Sequence, residues 1–238
     1  MRPEYEAGIF EDLAWLGLDW PEPVLRQSQH LDRYAAALKR LSDLGLTYPC
    51  RCSRADIRAA LSAPQEGATH LPPDGAVYPG TCRGREMDGM ETGDAVRLHL
   101  DRALAHMGGA RLDWREEGPE HAGCHALDPD GLRPHVGDVV LASRDSGTAA
   151  YHLAVVVDDA EQDITHVIRG EDLWEATPVH RLLQALLGLP VPVWHHHRLI
   201  RDEAGKRLAK RHDARALRTY RAAGRTPAEI RAMVGLPD

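Results

Sequence analysis

From Ser62 to Gly93 the chain is crowded with Pro, Gly and polar residues and offers little to bury. Such a stretch cannot build much regular structure. It interrupts apolar segments on both sides, so any fold must hold it in place by something other than a core. Cys50-x-Cys52 stands just before it, and Cys82 lies within it. A Cys-x-Cys pair places two thiolates on one turn, and with Cys82 it looks like three ligands of a structural zinc site. His70, Tyr78 and Cys124 are all open as the fourth ligand. The plain alternative is reduced thiols without metal. Four cysteines in a chain of 238 residues, with no basic-then-apolar order in "MRPEYEAGIF", favour metal or bare thiols over disulfides and a cytoplasmic location.

Outside this stretch, periodicity assigns elements. Glu4 to Leu16 reads as a helix stopped by Gly17. Ser28 reads as the N-cap of a second helix, whose stripe is Leu31, Tyr34, Leu38, Leu41 and Leu44 and whose stop is Gly45. Residues 48–52 read as a short turn, followed by a helix capped by Ser53. Ala95 to Leu100 alternates like a half-buried strand. Residues 138–159 read as two strands joined at Asp145-Ser146-Gly147, the second being Ala150 to Val157. Another strand ends at Arg169-Gly170. A helix opens with Thr177 as N-cap and Pro178 in its first turn, and closes at Gly188. With a single Phe10, the core must rest on Leu, Val, Ile and Ala. The order suits an α/β sheet carrying an inserted small subdomain. No apolar run approaches the roughly 18 residues of a membrane span.

Charge is unevenly spread. Net charge is −7, yet Arg198 to Arg225 carries ten Lys/Arg against Asp202, Glu203 and Asp213. A basic C-terminal face on an acidic body suggests a local docking patch for phosphates; a solvated helical face is the bland alternative. Two of the three lysines, Lys206 and Lys210, fall in "GKRLAKR". An ammonium on a flexible stem is a compact point charge that can follow a moving phosphate, whereas a guanidinium has a fixed planar fork.

Three segments together, "YPCRCSR", "YHLAVVVDDAEQDITHVIRGEDL" and "GKRLAKR", resemble the class I aminoacyl-tRNA synthetases specific for glutamate. The resemblance runs from Arg2 to about Arg211. Within the family it points to the short branch that modifies queuosine, because only 27 residues follow Arg211, too few for an anticodon-binding domain. It implies a class I synthetase-like Rossmann catalytic domain, α/β in class, with an inserted zinc-binding subdomain. The divisions are 1–48 and 136–190 for the catalytic halves, 49–135 for the insert, and 191–238 for the mobile loop and basic tail. It implies activation of glutamate by ATP, with Mg2+, and transfer to queuosine at the wobble position of tRNA(Asp) by a monomer.

The resemblance also assigns residues. Tyr151 and Arg169 match positions that bind glutamate; packing at a strand start and a salt bridge to Glu171 or Asp172 are the structural alternatives. Arg207, Leu208, Ala209, Lys210 and Arg211 occupy the five places of the KMSKS-type loop, with Lys210 as the catalytic, ATP-binding cation. Arg207 and Ala209 depart from the pattern. The family pattern Tyr-x-x-x-Cys selects Tyr78 as the fourth zinc ligand beside Cys50, Cys52 and Cys82. His195 to His197 invite a metal reading, but neighbours in an extended segment face opposite ways, so a polar link into the basic loop is expected. Asp158-Asp159 fit a strand-end turn as well as magnesium.

The family's HIGH-type motif belongs on a first strand–helix unit, and a βαβ unit takes roughly 30 residues. Three residues precede the first helix here. A start placed at an internal Met, or a lost N-terminus, would account for this. The chain as given is expected to form adenylate weakly or not at all and to leave an apolar sheet edge open. A truncated glutamyl-tRNA synthetase charging tRNA(Glu), and a catalytically dead zinc-containing RNA-binding protein, are the competing expectations.

Overall fold

Leucine, valine and alanine carry the core, as the shortage of aromatics requires. The structure is a computed structural model and describes residues 3–62, 77–144, 148–201 and 216–236. Its elements in chain order are α1 (Pro3–Trp15), α2 (Leu31–Asp43), β1 (Thr47–Cys50), α3 (Arg54–Ser62), β2 (Ala95–Leu98), α4 (Leu100–His106), β3 (Asp113–Glu116) and β4 (Gly123–Ala126). They continue with α5 (Pro129–His135), β5 (Val140–Ala142), α6 (Tyr151–Glu161), β6 (His166–Gly170), α7 (Thr177–Leu187), β7 (Val193–His197), α8 (Leu217–Ala222) and α9 (Pro227–Met233).

Two units emerge, Arg26–Arg198 and Met1–Leu25 with Leu199–Asp238. In the larger, one sheet runs β1-β2-β5 and is antiparallel, while the other runs β4-β3-β7-β6. The second is mixed: β3 pairs antiparallel with β4 but parallel with β7, and β6 pairs parallel with β7. Helices α2, α6 and α7 pack on one another. They bury Leu41, Leu153, Val156, Leu182 and Leu183 in the main core with Leu98, Leu100 and Leu141. A separate small cluster holds Tyr48, Cys50, Tyr78, Cys82 and Ala95. In the smaller unit Arg221 pairs with Glu11 and Asp12, and Arg231 donates to the Leu16 carbonyl, so α8 and α9 are tied to α1 and its end.

Several local expectations hold. Ser53 caps α3 by accepting from Asp56 N, and Gly188 ends α7 with φ 63°, a left-handed value that glycine takes at no steric cost. Others are corrected. Residues 151–157 belong to helix α6, not to a strand, and Ala150 is its extended N-cap. A short apolar run cannot be told from a buried helical segment by periodicity; here a helix puts Leu153, Ala154 and Val156 into the core and sets Asp158 at its buried face. Asp158-Asp159 therefore sit on a helix rather than in a turn. Ser28 lies in a 3-10 turn, and α2 starts after His30 without a side-chain cap. Leu31 and Leu44 of the expected stripe are exposed, Ala37 taking a buried place instead. Residues 47–50 form β1 rather than a turn. The N-cap of α7 is Ala176, which frees the Thr177 hydroxyl for another partner. His195 to His197 are strand β7, between β3 and β6, not a link. The hinge at 145–147 and the "GKRLAKR" loop lie outside the described residues. Among the described residues no helix is long and apolar enough to cross a membrane.

Leu153 is fully buried whereas Leu31 is 45% exposed. Leu153→Ala is expected to cost about 2–5 kcal/mol in urea unfolding. Leu31→Ala should stay within about 0.5 kcal/mol of the parent. Equal costs would contradict the burial of Leu153 in the main core.

Candidate active site and metal centre

Strand order places three polar side chains in one buried row. Glu116 ends β3, Arg169 sits near the end of β6, and His196 lies on β7 between them, directly opposite Arg169 in the parallel register. His196 Nδ1 meets Glu116 Oε2 at 2.7 Å, and His196 N donates to Glu116 Oε1 at 2.8 Å. Gly118 N donates to the same Oε1 at 2.7 Å. A Cβ at Gly118 would stand 2.3 Å from the His196 carbonyl, so this close approach needs glycine. Burial opposes the charge on Glu116, but the bonds from His196 and Gly118 outweigh it and hold the carboxyl below its usual range.

Arg169 is the hub. Its Nε donates to His196 Nε2 at 2.9 Å, its Nη1 to His180 Nδ1 at 3.0 Å, and its Nη2 to Thr177 Oγ1 at 2.7 Å. A guanidinium only donates, so both ring nitrogens facing it must accept. That assigns Nδ1–H to His196, donating to Glu116. It assigns Nε2–H to His180, which meets His152 Nδ1 at 3.1 Å. Burial first, and the Arg169 charge with it, push the His180 and His196 pKa values below the usual imidazole range. Both rings are neutral, and the proton inventory closes.

No carboxylate among the described residues ion-pairs with Arg169. Burial lowers its pKa, while Tyr151, Asp159 and Glu116 raise it; a guanidinium stays charged regardless. A buried cation bonded to neutral acceptors is a costly arrangement that an anionic ligand group relieves. Tyr151, in the first turn of α6, is 44% exposed and lies near enough to the same guanidinium to favour its charge, with its ring 5.6 Å from that of His180. The geometry brings Tyr151 and Arg169 together. It replaces the expected alternatives for both, since Tyr151 is helical and Arg169 bonds neither Glu171 nor Asp172. Asp158 is held by Tyr34 and Gln27 at 2.6 Å each, while burial and the Asp158 charge push Asp159 up to about 6. Glu116, His152, Thr177 and His180 were not anticipated. Lys210 lies outside the described residues.

The second cluster joins the ends of β1 and the 77–85 turn. The sulfurs of Cys50, Cys52 and Cys82 all lie within 4.8 Å of one another. The Tyr78 hydroxyl is 3.4 Å from the sulfurs of both Cys50 and Cys52, and the Cys52 and Cys82 sulfurs are 3.5 Å apart. Zinc–sulfur bonds of about 2.3 Å in a tetrahedron put sulfurs about 3.8 Å apart, so the donor set fits. Burial disfavours a Cys82 thiolate, but hydrogen bonds from Tyr78, Arg51 N and Cys52 prevail and bring its pKa down to about 7. Burial pushes Tyr78 up. The Arg97 guanidinium lies 3.9 Å over the Tyr78 ring and faces the cluster with positive charge. Cys124 is exposed on β4, apart from this group.

Purified protein is expected to carry one Zn2+ per chain by atomic emission. Cys82→Ser should weaken that binding at least about 100-fold in chelator competition. A protein that holds no zinc after refolding with the metal would contradict the assignment.

The chain matches the family of class I tRNA synthetases (E and Q), catalytic domain, over residues 1–99 and 126–236. It is similar to the glutamyl-Q tRNA(Asp) synthetase of Rhodobacter capsulatus, with 56% identity over 238 residues, 99% of this chain and 83% of that protein. It is also similar to the glutamyl-Q tRNA(Asp) synthetase of Nocardia farcinica, with 42% identity over 242 residues, 100% of this chain and 71% of that protein. Among solved structures it resembles a glutamate tRNA ligase from Elizabethkingia meningosepticum in complex with its amino acid. There the TM-score is 0.62 at 24% identity, covering 88% of this chain and 42% of that one, a likeness of fold. The mixed β4-β3-β7-β6 sheet with its helices is accordingly a class I synthetase catalytic fold, and the chain belongs to the class I tRNA synthetase family, among relatives that are glutamyl-Q tRNA(Asp) synthetases.

Proposed function

We propose that this protein activates glutamate with ATP and transfers the glutamyl group to queuosine at the wobble position of tRNA(Asp), in the cytoplasm and as a monomer. The observation that carries the reading is the Arg169 guanidinium, buried at the end of a parallel strand without a carboxylate partner and flanked by the exposed Tyr151. Carboxyl ends of parallel strands are where α/β folds take ligands. Arg169 would grip a carboxylate of glutamate in a two-pronged contact, and Tyr151 would orient it. Three neutral acceptors hold the guanidinium rigid without quenching its charge, so little reorganisation is needed when the anion arrives.

Glutamate then attacks the α-phosphorus of ATP through a carboxylate oxygen, and the bond to pyrophosphate breaks to leave glutamyl-adenylate. Negative charge grows on the transferring phosphoryl group. Lys210 would neutralise it more in the transition state than in the ground state, beside Mg2+. Zn2+ held by Cys50, Cys52, Tyr78 and Cys82 would supply a structural cross-link, clipping the 77–85 turn to the end of β1. On this reading 49–135 is the insert, 1–48 and 136–190 the catalytic halves, and 191–238 the loop and tail.

Glutamate-dependent ATP–pyrophosphate exchange by the full-length protein tests the first step. Transfer of labelled glutamate to queuosine-bearing tRNA(Asp), against unmodified tRNA(Asp) and tRNA(Glu), tests the second. Arg169→Lys keeps the charge but loses the fork, and is expected to lower kcat/KM for glutamate at least about 100-fold with the fold intact by circular dichroism. Unchanged glutamate kinetics in this variant would overturn the assignment. Charging of tRNA(Glu) instead of tRNA(Asp) would replace the acceptor.

A further inference from the structure

The two oxygens of Glu116 do separable things. β3 meets β7 in register at Glu116 and Trp194. Beyond that point Oε1 continues the ladder, accepting from His196 N at 2.8 Å and from Gly118 N at 2.7 Å. Both donors are backbone groups, and an amide oxygen would serve them as well as a carboxylate. Oε2 is different, because it faces the ring nitrogen His196 Nδ1 at 2.7 Å. An imidazole nitrogen donates or accepts according to its partner. An ionised carboxylate accepts only, so it obliges His196 to carry its proton on Nδ1. The obligation passes across the ring. Nε2 is left bare, 2.9 Å from Arg169 Nε and 3.5 Å from the Thr177 hydroxyl. The side chains of Glu116 and His196 are 0% and 1% exposed, so no water stands in for either partner and Glu116 itself is out of a ligand's reach.

The chemistry of Glu116 therefore matters apart from its shape. Glutamine in its place has the same outline and keeps its Oε1 on the two backbone donors. Its NH2 then occupies the place of Oε2 and aims at His196 Nδ1. The ring answers by moving its proton to Nε2, where it opposes the Arg169 Nε–H, donor against donor. His180 and Thr177 still accept from the other two guanidinium nitrogens, so the fork tilts rather than comes free. We propose that Glu116 is a positioning residue for glutamate recognition: by fixing the His196 proton on Nδ1 it holds the Arg169 fork in the orientation that grips the substrate carboxylate. The proposal rests on the reading of Arg169 as that clamp. Its effect falls on glutamate and not on ATP, because the relay ends at the guanidinium.

Two variants of the full-length protein, Glu116→Gln and Glu116→Asp, are compared in ATP–pyrophosphate exchange, with imidazole 15N spectra to read the His196 tautomer. Glu116→Gln is expected to show His196 as the Nε2–H tautomer and to raise the KM for glutamate at least about tenfold. Its KM for ATP should stay within about twofold of the parent and its kcat at saturating glutamate within about threefold. Aspartate still only accepts, so Glu116→Asp should keep the Nδ1–H tautomer and a smaller rise in glutamate KM than Gln. A purely structural role predicts the reverse order, because Gln keeps the volume of Glu and Asp leaves a gap. A larger effect of Asp than of Gln, an unchanged glutamate KM in the Gln variant, or an Nε2–H His196 in the parent would each overturn the proposal. So would loss of the fold in the Gln variant by circular dichroism, since the role would then be stability. Absence of exchange in the parent would instead defeat the glutamyl-transfer reading; calorimetric binding of glutamate then judges the proposal by the same order of variants, and a parent that binds no glutamate overturns both.

Discussion

The structure of the candidate active site depends on how one buried positive charge is kept. Arg169 donates to His196, His180 and Thr177, and the nearest formal negative charge in that chain of bonds is Glu116, one imidazole away. An ion pair with a carboxylate would have cancelled the charge locally. A neutral imidazole relays the compensation instead, leaving the guanidinium held but unsatisfied as a cation. This requires β3, β7 and β6 to lie side by side in this register, and α7 to begin where Thr177 and His180 reach back toward β6. Shifting β7 by one residue would turn His196 to the opposite face and break the row.

The cysteine cluster solves a different problem. The stretch beyond α3 has no apolar stripe, so its described part is organised by a few polar anchors. Asp138, on the segment before β5, is fully buried; its carboxylate accepts from Tyr48, Arg83 and Leu100 N, and its carbonyl accepts from Arg97. Arg97 in turn covers the ring of Tyr78. The thiols, the phenol and this carboxylate therefore form one polar core beside the leucine core. A metal there would cross-link segments 28 to 30 residues apart in sequence, where hydrophobic burial is scarce.

Sequence reasoning found what local chemistry encodes. Cysteine spacing located the three thiols that the structure groups, while the choice of Tyr78 beside them came from the family pattern and not from spacing. The Thr-Pro start and Gly188 stop framed α7, whereas the alternation over residues 95–100 marked β2 but overran it, since the strand ends at Leu98, is buried at all four positions and Leu100 already begins α4. It misread α6, because an apolar run with three consecutive valines fits a covered strand as well as a helix buried on most sides. Glu116 was invisible for another reason. Its partner His196 is 80 residues away, and no periodicity links a strand-end glutamate to the middle member of a histidine triple. The alternating directions of those three histidines were legible, and the observed burial of His196 between exposed His197 and half-buried His195 follows them. Long-range polar pairing across parallel strands is set by topology, and it becomes legible only once the strand order is known.

Protonation of His180 and His196 tests this arrangement most directly. Long-range 1H–15N correlation spectra of the imidazoles, followed from pH 8 downward, report tautomer and charge ring by ring. His196 should appear as the Nδ1–H tautomer and His180 as the Nε2–H tautomer, His196 remaining neutral below the usual imidazole pKa of about 6.5 and His180 well below it. Either ring becoming a cation near that value would contradict the account, because an imidazolium has no lone pair left to accept from Arg169.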